Sequence, residues 1–125
     1  MKIEFIDKIP QKIAFHSSIF FNNNLYLIGG MGEKNNFLYE CYCFHITKKK
    51  WEKIPNLNIS RLNPSLCIYN NNYLYVIRGS NKNESIDSIE FINIKNMING
   101  WISYKPFDPG FSWFDCNTSL VITIN

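Results

Sequence analysis

The chain has 125 residues, 46% apolar and 16% aromatic, and a net charge of +3. That apolar content supports one packed domain and the aromatics favour strands. The charge is too mild for a nucleic-acid binder, and no apolar run is long enough to cross a bilayer.

In chain order, residues 3–9 alternate apolar with polar and end at Pro10, as a strand does. They lack the apolar stretch of a signal peptide, so a soluble, cytoplasmic protein is expected. In a reducing compartment the cysteines Cys41, Cys43, Cys67 and Cys116 are expected free and mostly buried. Residues 18–21 form a short apolar strand, and Asn22-Asn23-Asn24 a tight turn, because asparagine tolerates positive φ. A second strand over 25–28 runs into Gly29-Gly30, followed by a polar loop over 31–36. A third strand covers 38–46. After the solvated turn Lys48-Lys49-Lys50 a fourth covers 51–54 and stops at Pro55.

The same order then returns. Residues 66–69, 74–77, 88–94 and 101–104 repeat the four strands, and Pro106 closes the unit. Leu25 reappears as Leu74 at an offset of 49, and Trp51 as Trp101 at an offset of 50. Ile19-Phe20 matches Ile68-Tyr69, and Lys12 matches Arg61. Residues 95–99 read as a widened turn rather than a helix. Four short antiparallel strands recurring every fifty or so residues describe blades of a β-propeller. The expected class is all-β: a partial propeller of two complete four-stranded antiparallel blades with flanking strands. Residues 1–10 are the last strand of a preceding blade, 11–57 and 58–107 the two blades, and 108–125 a linking loop with the first strand of a following blade.

The strand closed by Gly29-Gly30, the aromatic Phe44 in the third strand and Trp51 in the fourth resemble the Kelch repeat family. In the second unit Phe91 or Ile92 stands at the aromatic position. Arg78 departs from the pattern where a glycine is expected: either the strand ends differently there, or a long cation is aimed into the following loop.

The resemblance implies a protein-interaction module that recognises its partner through loops between strands and between blades. Here these are 31–37, 55–63, 78–86 and 105–117. They carry Lys34, Asn35, Arg61, Arg78, Asn81 and Lys82, donors suited to an acidic or polar peptide. The last loop adds Phe111 and Trp113, with Phe107 and Phe114 beside them, as a docking surface or a plug against the next blade. Many Kelch proteins are substrate adaptors of ubiquitin ligases, which makes that role a family expectation. Two blades leave raw strand edges, which favour self-association or incorporation into a larger assembly. The alternative reading is a structural subunit whose shortened propeller is completed by partners.

No catalytic residue, cofactor or metal site is expected, and the chain does not read as an enzyme. Cys41-x-Cys43-x-His45 shares one strand face, but residues two apart lie about 6.6 Å apart, too far for one zinc whose ligands sit within about 2.3 Å. His16 opens the first strand, opposite Ser65 in the repeat, and is expected to hydrogen-bond a neighbouring loop. Gly29-Gly30-x-Gly32 precedes no helix, so it is not a phosphate cradle.

Overall fold

The computed structural model describes residues 8–82, 84–104 and 120–122. Alternating apolar residues set the strands and asparagines set the turns. β1 (Ser17–Phe21) and β2 (Asn24–Ile28) are joined by Asn22 and Asn23, with φ of 52° and 62°. Two consecutive left-handed residues give a turn whose twist suits a tight hairpin, and asparagine adopts that conformation at low cost. β3 (Cys41–His45) and β4 (Lys50–Ile54) follow, and the four strands form one antiparallel sheet in chain order.

The second sheet repeats this with β5 (Ser65–Tyr69), β6 (Tyr73–Ile77), β9 (Ile89–Asn93) and β10 (Ile102–Tyr104). The expected turn after β9 is there. The Asn93 and Asn96 side chains accept from the Lys95 and Ile98 backbone N–H groups. The loop after β6 is itself a miniature hairpin, β7 (Ser80–Asn81) paired with β8 (Glu84–Ser85). The molecule is thus all-β, as expected. No helix among the described residues is long and apolar enough to cross a membrane.

Two expectations at the chain ends meet different fates. Residues 3–7 lie outside the described part, and Lys8 and Ile9 are not in a strand. Residues 120–122 do form a strand, β11 (Leu120–Ile122), but it does not open a third sheet. It lies parallel to β5 on the edge of the second sheet. An edge strand presents a row of unpaired N–H and C=O groups, and β11 satisfies those of β5.

The strand register corrects the repeat alignment. Ser17 and Ser65 both face an isoleucine, Ile28 and Ile77, so β1 and β5 superpose at an offset of 48 rather than 49. Phe20 therefore corresponds to Ile68, and Phe21 to Tyr69. The extra residue sits in the turn, where residues 70–72 replace Asn22 and Asn23. The bridges Ala14↔Met31 and Leu62↔Ser80 show that Ile13, not Lys12, stands where Arg61 does. The counterpart of His16 becomes Pro64. In the third strand Phe44 corresponds to Ile92, because each lies opposite its leucine, Leu25 or Leu74.

The two sheets pack face to face, and this is the core. Ile19, Tyr26, Ile28, Cys41, Cys43 and Ile54 of the first blade meet Leu66, Ile68, Leu74, Val76, Ile92 and Trp101 of the second. Each fully buried aliphatic side chain here contributes about 1.5–3 kcal/mol. The Trp101 indole N–H also donates to the Pro55 carbonyl at 2.7 Å, tying the second blade back to the end of β4. Cys41 and Cys43 belong to this core, and burial pushes their thiols up to about 12 and about 11. At such values both stay protonated and unreactive near neutral pH. The His45 ring nitrogens lie 2.8 Å from the Asn24 side-chain oxygen and 2.6 Å from the Glu52 carboxylate.

Candidate interaction surface

Short backbone bonds draw the connecting loops to one end of the two sheets. Ala14 exchanges hydrogen bonds with Met31, and Leu62 with Ser80. Between the blades, the Gly30 N–H donates to the Arg61 carbonyl at 2.9 Å, and the Asn63 N–H to the Phe15 carbonyl at 2.8 Å. Residues 12–16, 30–38, 57–63, 78–82 and 84–86 therefore share a single rim. The glycine pair makes this possible. Gly29 has φ +65°, and a Cβ there would lie 2.5 Å from the Arg61 carbonyl oxygen. Only glycine combines that conformation with so close an approach of neighbouring backbone.

Arg78 occupies the place of Gly29 in the second blade and has nearly the same conformation, φ 58°. The strand ends as in the first blade. The side chain is carried on a backbone that glycine would favour.

The rim is fastened from beneath by a buried ion pair that the repeat pattern does not reveal. Arg61 and Glu90 are each 0% exposed. The guanidinium Nε donates to Glu90 at 3.1 Å, and its terminal nitrogens donate to the Arg78 and Ser88 carbonyls and the Ser88 hydroxyl, all within 2.9 Å. Glu90 also accepts from the Asn58 and Ile59 backbone N–H groups, at 2.6 and 3.3 Å. Burial lowers the Arg61 pKa and the Glu90 charge opposes that shift. An arginine starts so high that it stays charged. In the first blade Gln11 donates to the Tyr42 hydroxyl at 2.8 Å and to the Glu40 carboxylate at 3.4 Å. Tyr42 stands where Glu90 does.

The expected contact residues now separate. Arg61 is not available to a partner, because every side-chain nitrogen is engaged inside the protein. Lys34 and Asn35 are exposed on the 3-10 turn Glu33–Asn35, both with positive φ. Lys82 is exposed at the tip of the β7–β8 hairpin, and Asn81 and Arg78 are half-buried at its base. Phe111 and Trp113 lie outside the described residues. Missed by sequence reasoning was a shallow cleft of about 190 Å³ on the rim. It is lined by Lys12, Ile13, Ala14, Met31, Gly32 and Glu33, an apolar floor between a cation and an anion. No local motif announces it, because it forms only when two loops pair.

His16 also differs from expectation. Its Nδ1 is buried without a hydrogen-bond partner. Burial lowers its pKa from 6.5, so the folded chain resists protonation more than the unfolded chain does. The stability this residue supplies is complete above about pH 6.5 and is lost as pH falls through the lower folded value. Urea midpoints measured at about pH 7.5 and about pH 5.5 should drop for the native chain, and drop less for His16→Asn.

Two units of four antiparallel strands stacked face to face, the second extended at its edge by the parallel β11 and their connecting loops gathered on one rim, define a pair of β-propeller blades. Residues 13–58, which span the first blade, match the family model for the Kelch motif. No curated protein matched the sequence. The second blade, which lies beyond the matched residues, departs from the motif at Arg78 and Ile92 but keeps its strand order.

Proposed function

We propose that the chain is a protein-interaction module of the Kelch propeller type that receives an acidic or polar peptide on its loop rim. The observation that carries this reading is the gathering of loops from both blades on one end, over a rigid apolar core. Lys34 and Lys82 stand exposed there, one on each blade's loop, and the cleft between residues 12–14 and 31–33 offers an apolar floor. Such a rim suits substrate recognition within a larger adaptor, the role that the family resemblance implies.

The test is a display library of short peptides, selected on the immobilised chain and read by fluorescence anisotropy. Peptides rich in Asp and Glu should be enriched, and binding should weaken as salt rises. Lys34→Glu together with Lys82→Glu should weaken it about tenfold, which is about 1.4 kcal/mol. A folded chain that enriches no peptide sinks the proposal. A second reading, the structural subunit, is favoured by the apolar outer faces of the two blades, where Phe20 is 56% and Ile102 49% exposed.

A further inference from the structure

We propose that the end of the two blades opposite the loop rim docks on an anionic lipid surface, without spanning it. Antiparallel strands put the four hairpin turns at that end, residues 22–23, 46–49, 70–72 and 94–101. Ile46 and Ile94 tie the turns of each blade together, donating their backbone N–H groups to the Asn23 and Asn72 carbonyls at 3.0 and 2.9 Å. Between the blades, Phe21 and Asn22 on one side and Asn71 and Lys95 on the other line a cleft of about 300 Å³. The turns of both blades therefore form one continuous surface. Propeller blades stack on one another through their flat faces, so this turn end does not depend on how many blades accompany these two.

The charge on this surface has one sign. Lys48 and Lys49 in a turn of the first blade, Lys50 at the start of β4 and Lys95 in the second blade are exposed, and none of the four turns holds an aspartate or glutamate. Glu52, the carboxylate nearest to these lysines in sequence, is already engaged by His45 at 2.6 Å. The rim differs, for there Glu33 and Glu84 stand among Lys12, Lys34 and Lys82. Apolar side chains accompany the lysines in the same turns. Ile98 is 84% exposed, the highest value among the large apolar residues described, and Ile46 is 43% exposed.

That combination selects the partner. A nucleic acid would engage the cations and leave Ile98 in water. A bilayer with anionic headgroups uses both features: the lysines meet the negative surface, and a short apolar tip enters the boundary between headgroups and acyl chains. The cleft beside Lys95 has asparagine walls and the Phe21 side chain, and it suits a headgroup phosphate held by the ammonium group. With few cations and two isoleucines, the contact is reversible and sensitive to salt.

Cosedimentation with phosphatidylcholine vesicles, with and without phosphatidylserine, tests this on the full chain. The chain should bind only the anionic vesicles, and bind them less as salt rises. Lys48→Glu together with Lys95→Glu should weaken binding at least about tenfold. Lys34→Glu together with Lys82→Glu removes the same charge from the rim and should change it less than about twofold. Ile98→Ser keeps every charge and should weaken it about threefold to tenfold. Unchanged near-ultraviolet circular dichroism checks that each variant folds. Equal losses from the two charge variants would show diffuse attraction to a basic protein. Full binding by Ile98→Ser would assign the surface to a soluble polyanion or an acidic protein instead of a bilayer. Either result, or a chain that ignores anionic vesicles, would overturn the proposal. Lys48, Lys95 and Ile98 lie at the other end of the strands from the rim, so these results stand apart from those of the peptide selection.

Discussion

Arg61→Ala should destabilise the chain by about 3–5 kcal/mol, the range for removing one partner of a buried ion pair. The loss is not that of one contact. Glu90 would remain fully buried with only two backbone N–H donors, and the Arg78 and Ser88 carbonyls would each lose a donor. Urea unfolding followed by tryptophan fluorescence should show a lower midpoint with little change in slope. Lys12→Ala is the control. Lys12 is exposed, so its change should stay within about 0.5 kcal/mol. Combining Arg61→Met with Glu90→Met should recover only part of the loss. An apolar pair removes the stranded charge but leaves the Asn58 and Ile59 N–H groups without their acceptor, at about 1–3 kcal/mol each. An Arg61→Ala midpoint equal to that of Lys12→Ala would show that the pair does not hold the inter-blade loop.

Gly29→Ala should cost about 2–5 kcal/mol, combining a left-handed alanine with an overpacked contact. The new methyl would lie 2.5 Å from the Arg61 carbonyl oxygen, which belongs to backbone and cannot rotate aside. Relief requires the two blades to part at the rim, which strains the Gly30 to Arg61 hydrogen bond. Arg78 is the internal comparison, since it holds a similar φ and carries a full side chain. Left-handed backbone alone is therefore tolerable, and the neighbouring carbonyl is what demands glycine at position 29. Arg78→Gly should accordingly stabilise the chain, by about 1–2 kcal/mol from relief of the left-handed conformation. If Gly29→Ala and its parent unfold at the same urea concentration, the close approach of the blades is not what the glycine serves.

Much of the fold was legible locally. Strand order, the asparagine turns and the glycine-ended second strand all follow from period-2 patterning and from residues that tolerate positive φ. The residue-by-residue alignment was not. A one-residue change in turn length leaves the pattern of apolar types intact while moving every partner, so Ile19 looked like Ile68 when Phe20 takes that place. The small hairpin over 80–85 escaped notice because Asn, Lys, Glu and Ser carry little strand signal. Lys34, Asn35 and Lys82 were recognisable as exposed loop positions, since polar loops on short strands have nowhere else to go. Arg61 was misassigned for the same reason. An arginine in a connecting loop looks like a surface donor until its buried partner, 29 residues further on, is known.

By itself, the sequence determined that this chain builds two units of four antiparallel strands, because side-chain alternation, turn chemistry and proline stops are properties of neighbours in the chain. Tertiary structure alone decided which loop residues face outward, that Arg61 and Glu90 pin the inter-blade loop to the second blade, that β11 pairs with β5, and where the rim cleft lies. Those outcomes depend on distances between segments remote in sequence, and no local pattern encodes a distance across a packed interface.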